Sequence, residues 1–283
     1  LPTPTSLADD VRFWEDIFGK YTSDQCVVHD NKDLSIVYQV KPVRSRTSRG
    51  RRYLQRKAVV DVKKALQQLG RTGKARTGLQ RTIVRKIPRA KRAPWFYRKA
   101  ARQVRCQRGV DLRASLKRSK VHLPMIRSVF RRKDLPMDLA YLPHLESGFN
   151  TKARSKAGAV GLWQFMRATA RGLGLKVTRN RDYRYNPYLS TVYAAKYLKE
   201  LHHELKTWPL AITAYNYGEN GVKRAVRKYG YDYIKIRNNH RTRLFRFAAR
   251  NYYPSFIAAR NVAKGTTWSD AAPRKKGLLF GSN

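Results

Sequence analysis

One carboxylate stands in surroundings that suit proton transfer. Glu146 ends the apolar segment YLPHLESGF, where Leu142, Leu145 and Phe149 are core types. A carboxyl pressed among such neighbours loses hydration, its pKa rises, and it can donate a proton to a leaving oxygen near neutrality. The plainer alternative is a helix-end glutamate bonded to backbone or to one of the abundant arginines. Further along, AGAVGLWQFM (157–166) sets small residues ahead of Trp163 and Gln164, a close-packed turn with a flat apolar surface and an amide. AITAYNYGENGV then places Tyr215 and Asn216 just before Gly218, again aromatic beside amide, the pairing that sugar sites use. Trp163, Tyr215 and Tyr217 could equally be core residues.

Other chemistries find little support. His202-His203-Glu204 has the look of a zinc-protease motif, but the second histidine would have to fall at Thr207. No metal or cofactor is therefore expected. The sequence carries no phosphate-cradling glycine loop and no serine nucleophile elbow. Cys26 and Cys106 lie too far apart for a zinc pair. They read either as one disulfide closing a long loop, stabilising by about 4 kcal/mol, or as two core thiols.

Several elements must position these groups. LADDVRFWEDIFGKY (7–21) has Val11, Phe13, Trp14, Ile17 and Phe18 clustered on one helical face, and LSIVYQV (34–40) reads as a short buried strand. Residues 43–57 are arginine-dense and read as a loop or linker. Residues 58–108 carry helical patterning interrupted by RTGKARTG and KIPRAKRAP. Leu135-Pro136-Met137-Asp138 is expected to open a helix bearing Leu139, Leu142 and Leu145. Asn186-Pro187 has the form of an N-cap followed by proline in the first turn, and Trp208-Pro209 starts another helix ending near Gly218. No stretch approaches the roughly 18 uninterrupted apolar residues of a membrane span.

The balance of charge is extreme: 62 Lys and Arg against 18 Asp and Glu in 283 residues, a net +44. Such a surface predicts polyanionic surroundings, whether nucleic acid, anionic lipid or an acidic wall polymer. Between Asp61 and Asp111 there is no acidic residue at all. No recognisable nucleic-acid module accompanies the charge, so nucleic acid is not the expected partner.

Taken in order, ESGFN, SKAGAVGLWQFM and AYNYGENGV resemble the lytic transglycosylases of glycoside hydrolase family 23, in the goose-type lysozyme superfamily. LPMDLAYLPHLESGFN and NYYPSFIAARNVA are similar to the membrane-bound lytic transglycosylase D branch. The resemblance covers about residues 104–265. It implies a mainly α, lysozyme-like (α+β) catalytic domain over 104–270, preceded by a basic, partly helical region over 1–103 that packs on it and followed by a tail over 271–283.

The resemblance further implies that Glu146 is the acid/base and that Ser147 supports it. Ser155, Gln164 and Met166 would line a glycan groove. Asn216 would sit near the scissile sugar with Tyr215 behind it, and Tyr252 would bring a hydroxyl to the glutamate, although Tyr253 beside it leaves a one-residue ambiguity. The implied reaction cuts the β-1,4 bond between N-acetylmuramic acid and N-acetylglucosamine to give 1,6-anhydromuramyl ends. Hydrolysis of the same bond, with Asp182 as a water-holding group or on an N-deacetylated wall, is the enzymatic alternative. A non-catalytic binder of anionic polymer is the other.

Arg167 stands where the family usually has proline, bringing charge towards the groove. The expected partners are peptidoglycan strands and, through the basic surface, anionic wall or envelope polymers. The basic N-terminal region would then stand in for the wall-binding repeats often found in this branch. The chain is expected to be a monomer, and to be periplasmic, outer-membrane-associated or secreted after removal of a signal peptide.

Overall fold

The computed structural model describes residues 1 and 4–265. The tail expected over 271–283 lies outside them.

Helix α1 (Ala8–Gly19) forms where apolar residues recur at three and four, with Asp9 and Asp10 in the first turn where the helix dipole favours negative charge. Three antiparallel strands, β1 (Gln25–Asp30), β2 (Val37–Pro42) and β3 (Val104–Arg108), make a sheet ordered β2-β1-β3. The central strand is buried on both faces. Cys26 and Val28 look towards one hydrophobic cluster, while Val27 joins another, an alternation that follows from the two-residue period of a strand. The sheet is thus the wall between two cores.

On the Cys26 side lie helices α2 (Ser48–Thr72), α3 (Gly78–Lys86) and α4 (Pro94–Ala101), packed through Val62, Leu66, Leu69, Ile83 and Tyr97. On the other side, α1 joins α5 (Arg113–Arg132), α6 (Pro143–Glu146), α7 (Arg167–Gly172), α8 (Pro187–Leu205), α9 (Trp208–Tyr217), α10 (Glu219–Tyr229), α11 (Tyr233–Asn239) and α12 (Phe247–Lys264). The architecture is mainly α, as expected. Helix α1 packs along α12, and Arg237 of α11 bonds both Asp10 (2.7 Å) and Asn251 (3.0 Å), so the first helix is built into the C-terminal core.

Several local readings hold. Asn186 caps α8 by accepting from the Leu189 amide at 2.9 Å, and α9 runs from Trp208 to Tyr217. Cys26 and Cys106 are joined across neighbouring strands with Cα atoms 5.6 Å apart, so the bonded alternative is the one adopted.

Other readings are corrected. The expected linker over 43–57 is helical from Ser48 onward, because the Thr47 hydroxyl accepts from the Gly50 amide and Leu, Gln, Lys and Arg all favour helix. The strand expected at 34–40 begins only at Val37. Asp30 accepts from the amides of Lys32 and Asp33, and Asp33 from that of Ser35, which holds residues 31–36 in turns. The helix expected from Leu135 is a short 3₁₀ turn, Met137–Tyr141, followed by α6. Pro143 has no N–H to offer the preceding turn, so the chain restarts there. Strand β3 gave no recognised signal.

Candidate active site

Glu146 closes the four-residue helix α6, and the next residues turn the chain sharply away. Gly148 and Phe149 both adopt left-handed backbone conformations, φ +58° and +59°. For phenylalanine this is an uncommon state, held here by complete burial of its ring, which packs edge-on against His144 at 4.6 Å. Helix α5 clamps the turn from behind. Ser115 Oγ and His144 Nδ1 are hydrogen-bonded at 2.6 Å, and Arg118 Nε donates to the Gly148 carbonyl at 2.8 Å. None of Ser115, Arg118 and His144 was singled out by sequence reasoning. His144 lies two residues before the glutamate, but its partner is 29 residues upstream and nothing local announces the pairing.

The three motifs converge through side chain to backbone bonds. Ser147 Oγ donates to the Leu162 carbonyl at 2.8 Å, tying the glutamate turn to the second motif. Tyr215 from α9 donates its hydroxyl to the Trp163 carbonyl at 2.8 Å, tying in the third. Gly161 makes the second motif possible: at φ +78° an added Cβ would lie 2.0 Å from the Arg184 carbonyl oxygen. Trp163 is fully buried, with Nε1 donating to Thr191 Oγ1 at 2.9 Å. The flat sugar-binding surface expected there is therefore a core side chain, because the turn is packed from both sides.

The remaining predicted residues differ in what they leave available. Gln164, at φ +51°, directs Nε2 to the carbonyls of Gly161 (2.9 Å) and Ala153 (3.3 Å), so its amide nitrogen supports the loop. Ser155 Oγ accepts from the Ala159 amide at 3.0 Å, leaving its own O–H free to donate. Met166 and Asn216 are exposed. Tyr217 lies away from the glutamate turn in its bonding, with its hydroxyl 2.9 Å from Thr242 Oγ1.

Of the two adjacent tyrosines on α12, Tyr252 donates to Glu146 Oε1, while Tyr253 is buried against Tyr233 with ring centroids 5.3 Å apart. Burial pushes the Glu146 carboxyl from 4.5 up to about 7, opposed only by the Tyr252 hydrogen bond. The net charge of +44 does not undo this, since among the described residues no cation acts on the carboxyl strongly enough to pull it down. The phenols of Tyr215 and Tyr252 are held well above their usual range, by burial first and then by the glutamate charge.

Asp182 is engaged by Arg184 at Oδ1 (2.9 Å) and Oδ2 (2.7 Å) and caps a short turn. His202 stacks on Trp208 at 4.0 Å, and among the described residues no cluster of His, Cys, Asp and Glu could hold a metal. Two cavities adjoin the second and third motifs. One of about 550 Å³ is lined by Met166, Arg167 and Tyr185, and one of about 570 Å³ by Tyr197, Tyr217 and Glu219. Neither is lined by Glu146, so chemistry rather than concavity marks the site.

A carboxyl that titrates near neutrality, with a phenol to hold it, belongs to the class of groups that exchange a proton with a reacting oxygen. Residues 127–238 match the family Transglycosylase SLT domain. The chain is 36% identical over 111 residues to membrane-bound lytic murein transglycosylase D of Escherichia coli K12, covering 39% of this chain and 25% of that protein. It is 46% identical over 80 residues to peptidoglycan transglycosylase gp16 of Escherichia phage T7, covering 26% of this chain and 6% of the phage protein. The matched segments thus span a quarter or less of these two relatives. A lytic transglycosylase Slt structure from Pseudomonas aeruginosa aligns over 78% of this chain and 35% of its own, with a TM-score of 0.44 and 17% identity.

Proposed function

We propose that the chain is a peptidoglycan lytic transglycosylase with Glu146 as its only acid/base group. The observation that carries this reading is the half-buried Glu146, its carboxyl desolvated to a pKa near 7 and bonded by Tyr252, at the junction of the three motifs. A carboxyl that keeps a substantial protonated fraction at neutral pH can donate to the glycosidic oxygen as the bond from the muramyl anomeric carbon breaks. The electron pair of that bond leaves with the oxygen, and the positive charge on the anomeric carbon is met by the carbonyl of the muramyl N-acetyl group. Glu146, now a carboxylate, takes the proton from the sugar's own 6-hydroxyl as that oxygen bonds the anomeric carbon. The product is a 1,6-anhydro sugar, the glutamate regains its proton, and no water is consumed.

Standard glycosidases need a second carboxylate as nucleophile or base. Asp182 is held by Arg184, and Glu219 starts α10 in an ion pair with Lys223, which favours the internal 6-hydroxyl over water. In this reading Ser155, Met166 and Asn216 contact the glycan, while Ser147, Gln164 and Tyr215 shape the groove that holds it. The substrate places the protein outside the cytoplasm, in the periplasm, at the outer membrane or secreted, and it acts as a monomer without a cofactor. Mass spectrometry of soluble products from purified sacculi tests the proposal. Muropeptides lighter by one water than reducing forms, lost in Glu146→Gln, are the expected result. Reducing-end products would establish a lysozyme instead, and no products would leave a binding protein.

A further inference from the structure

The corrected start of α2 has a consequence for the charge. Ser48, Arg51, Arg52 and Gln55 fall at spacings of three and four, so they share one face of the helix. That face meets Gln107 and Arg108 on the edge strand β3 and Lys156 on the second-motif loop, and together they line a cleft of about 520 Å³. Among the described residues four cations line it and no acidic residue does. None of Arg51, Arg52, Arg108 and Lys156 forms an ion pair with a described carboxylate, whereas Asp24, Asp61 and Asp111 are paired with Arg44, Lys57 and Arg113. Arg51, Gln55, Gln107 and Arg108 are half-buried and form the recess, while Arg52 and Lys156 stand exposed at its rim. Gathering like charges without counterions costs energy that a bound anion would offset.

We infer that this cleft is an oxyanion-binding site which receives an acidic substituent of the wall polymer lying in the neighbouring groove. Its connection to the groove rests on the transglycosylase reading: Lys156 follows Ser155 directly, on the same loop. Arginine forks pair bidentately with carboxylate or phosphate oxygens, so the ligand is an oxyanion of either kind. Stem-peptide carboxylates and phosphodiester polymers are its two sources. Arg51 and Arg52 belong to the basic region over 1–103 and Lys156 to the matched residues 127–238, so in this reading the site is formed where those two parts meet.

Calorimetric titration of the full chain with tripolyphosphate, and separately with a muropeptide carrying its stem peptide, tests this. The variant R52Q/R108Q/K156Q removes three cleft charges. R131Q/R132Q/K133Q removes three from the exposed end of α5 and serves as control. The cleft variant is expected to bind at least one probe about tenfold more weakly, with the control within about twofold of wild type. Loss confined to tripolyphosphate identifies a phosphate polymer, and loss confined to the muropeptide identifies the stem. Equal weakening in both variants, or no binding of either probe, overturns the site. Sacculus cleavage is followed on the same preparations: its absence together with cleft-specific binding would refute the catalytic reading and leave the anion site standing.

Discussion

The raised pKa of Glu146 is also a statement about stability. Replacing it by glutamine keeps an acceptor for the Tyr252 hydroxyl and removes the ionisation. Glu146 titrates at about 7 in the folded chain against 4.5 as the ordinary value. Below about pH 4.5 it is protonated in both folded and unfolded chains, and any offset between wild type and Glu146→Gln is independent of pH. As pH rises towards 7, the unfolded chain ionises freely while the folded chain resists, so wild type loses stability relative to the variant. Above 7 the loss is complete, and it amounts to about 3 kcal/mol. In a chain of this size that corresponds to a melting temperature about 5–10 °C higher for the variant at mildly alkaline pH than its offset at acid pH would give. Urea denaturation of the two proteins in parallel across this pH range measures the difference directly, and contributions from every other titrating group cancel. A difference that stays flat with pH would refute the burial of the carboxyl, and with it the reason for choosing Glu146 as the acid.

Further outcomes follow from named contacts. Tyr252→Phe removes the hydrogen bond that favours the glutamate charge, so the alkaline limb of the pH–rate profile should move up by about one pH unit while the rate falls; an unshifted limb would show that the phenol does not act on Glu146. Gly161→Ala should destabilise by about 2–4 kcal/mol, since its Cβ would meet the Arg184 carbonyl at 2.0 Å in a left-handed backbone, measurable by chemical denaturation. Ser147→Ala should cost about 1 kcal/mol through the lost bond to the Leu162 carbonyl and lower the turnover of sacculi. Serine at both Cys26 and Cys106 should destabilise by about 4 kcal/mol for a loop of 80 residues, and reductant should reproduce the effect on the unmutated chain.

Local chemistry made part of this protein legible in advance. The cap at Asn186-Pro187, the helix start at Trp208-Pro209 and the amphipathic face of α1 each depend on residues within a turn or two of one another, and each of the three motifs is a short continuous run. Composition alone established the excess of positive charge. Tertiary structure decided the rest, because burial and bonds across long chain separations leave no local trace. It placed Tyr252 on a glutamate 106 residues away, and Tyr215 beneath a carbonyl 52 residues away. It turned Trp163 from a candidate sugar platform into core, since only packing from both sides can exclude solvent from an indole. It drew α1 against α12, and it gathered arginines that read as a linker into one wall of a cleft with β3 and Lys156. The pKa of Glu146 is the clearest case: sequence supplies the carboxyl and its apolar neighbours, but the desolvation that moves it to about 7 exists only once the surrounding helices have closed around it.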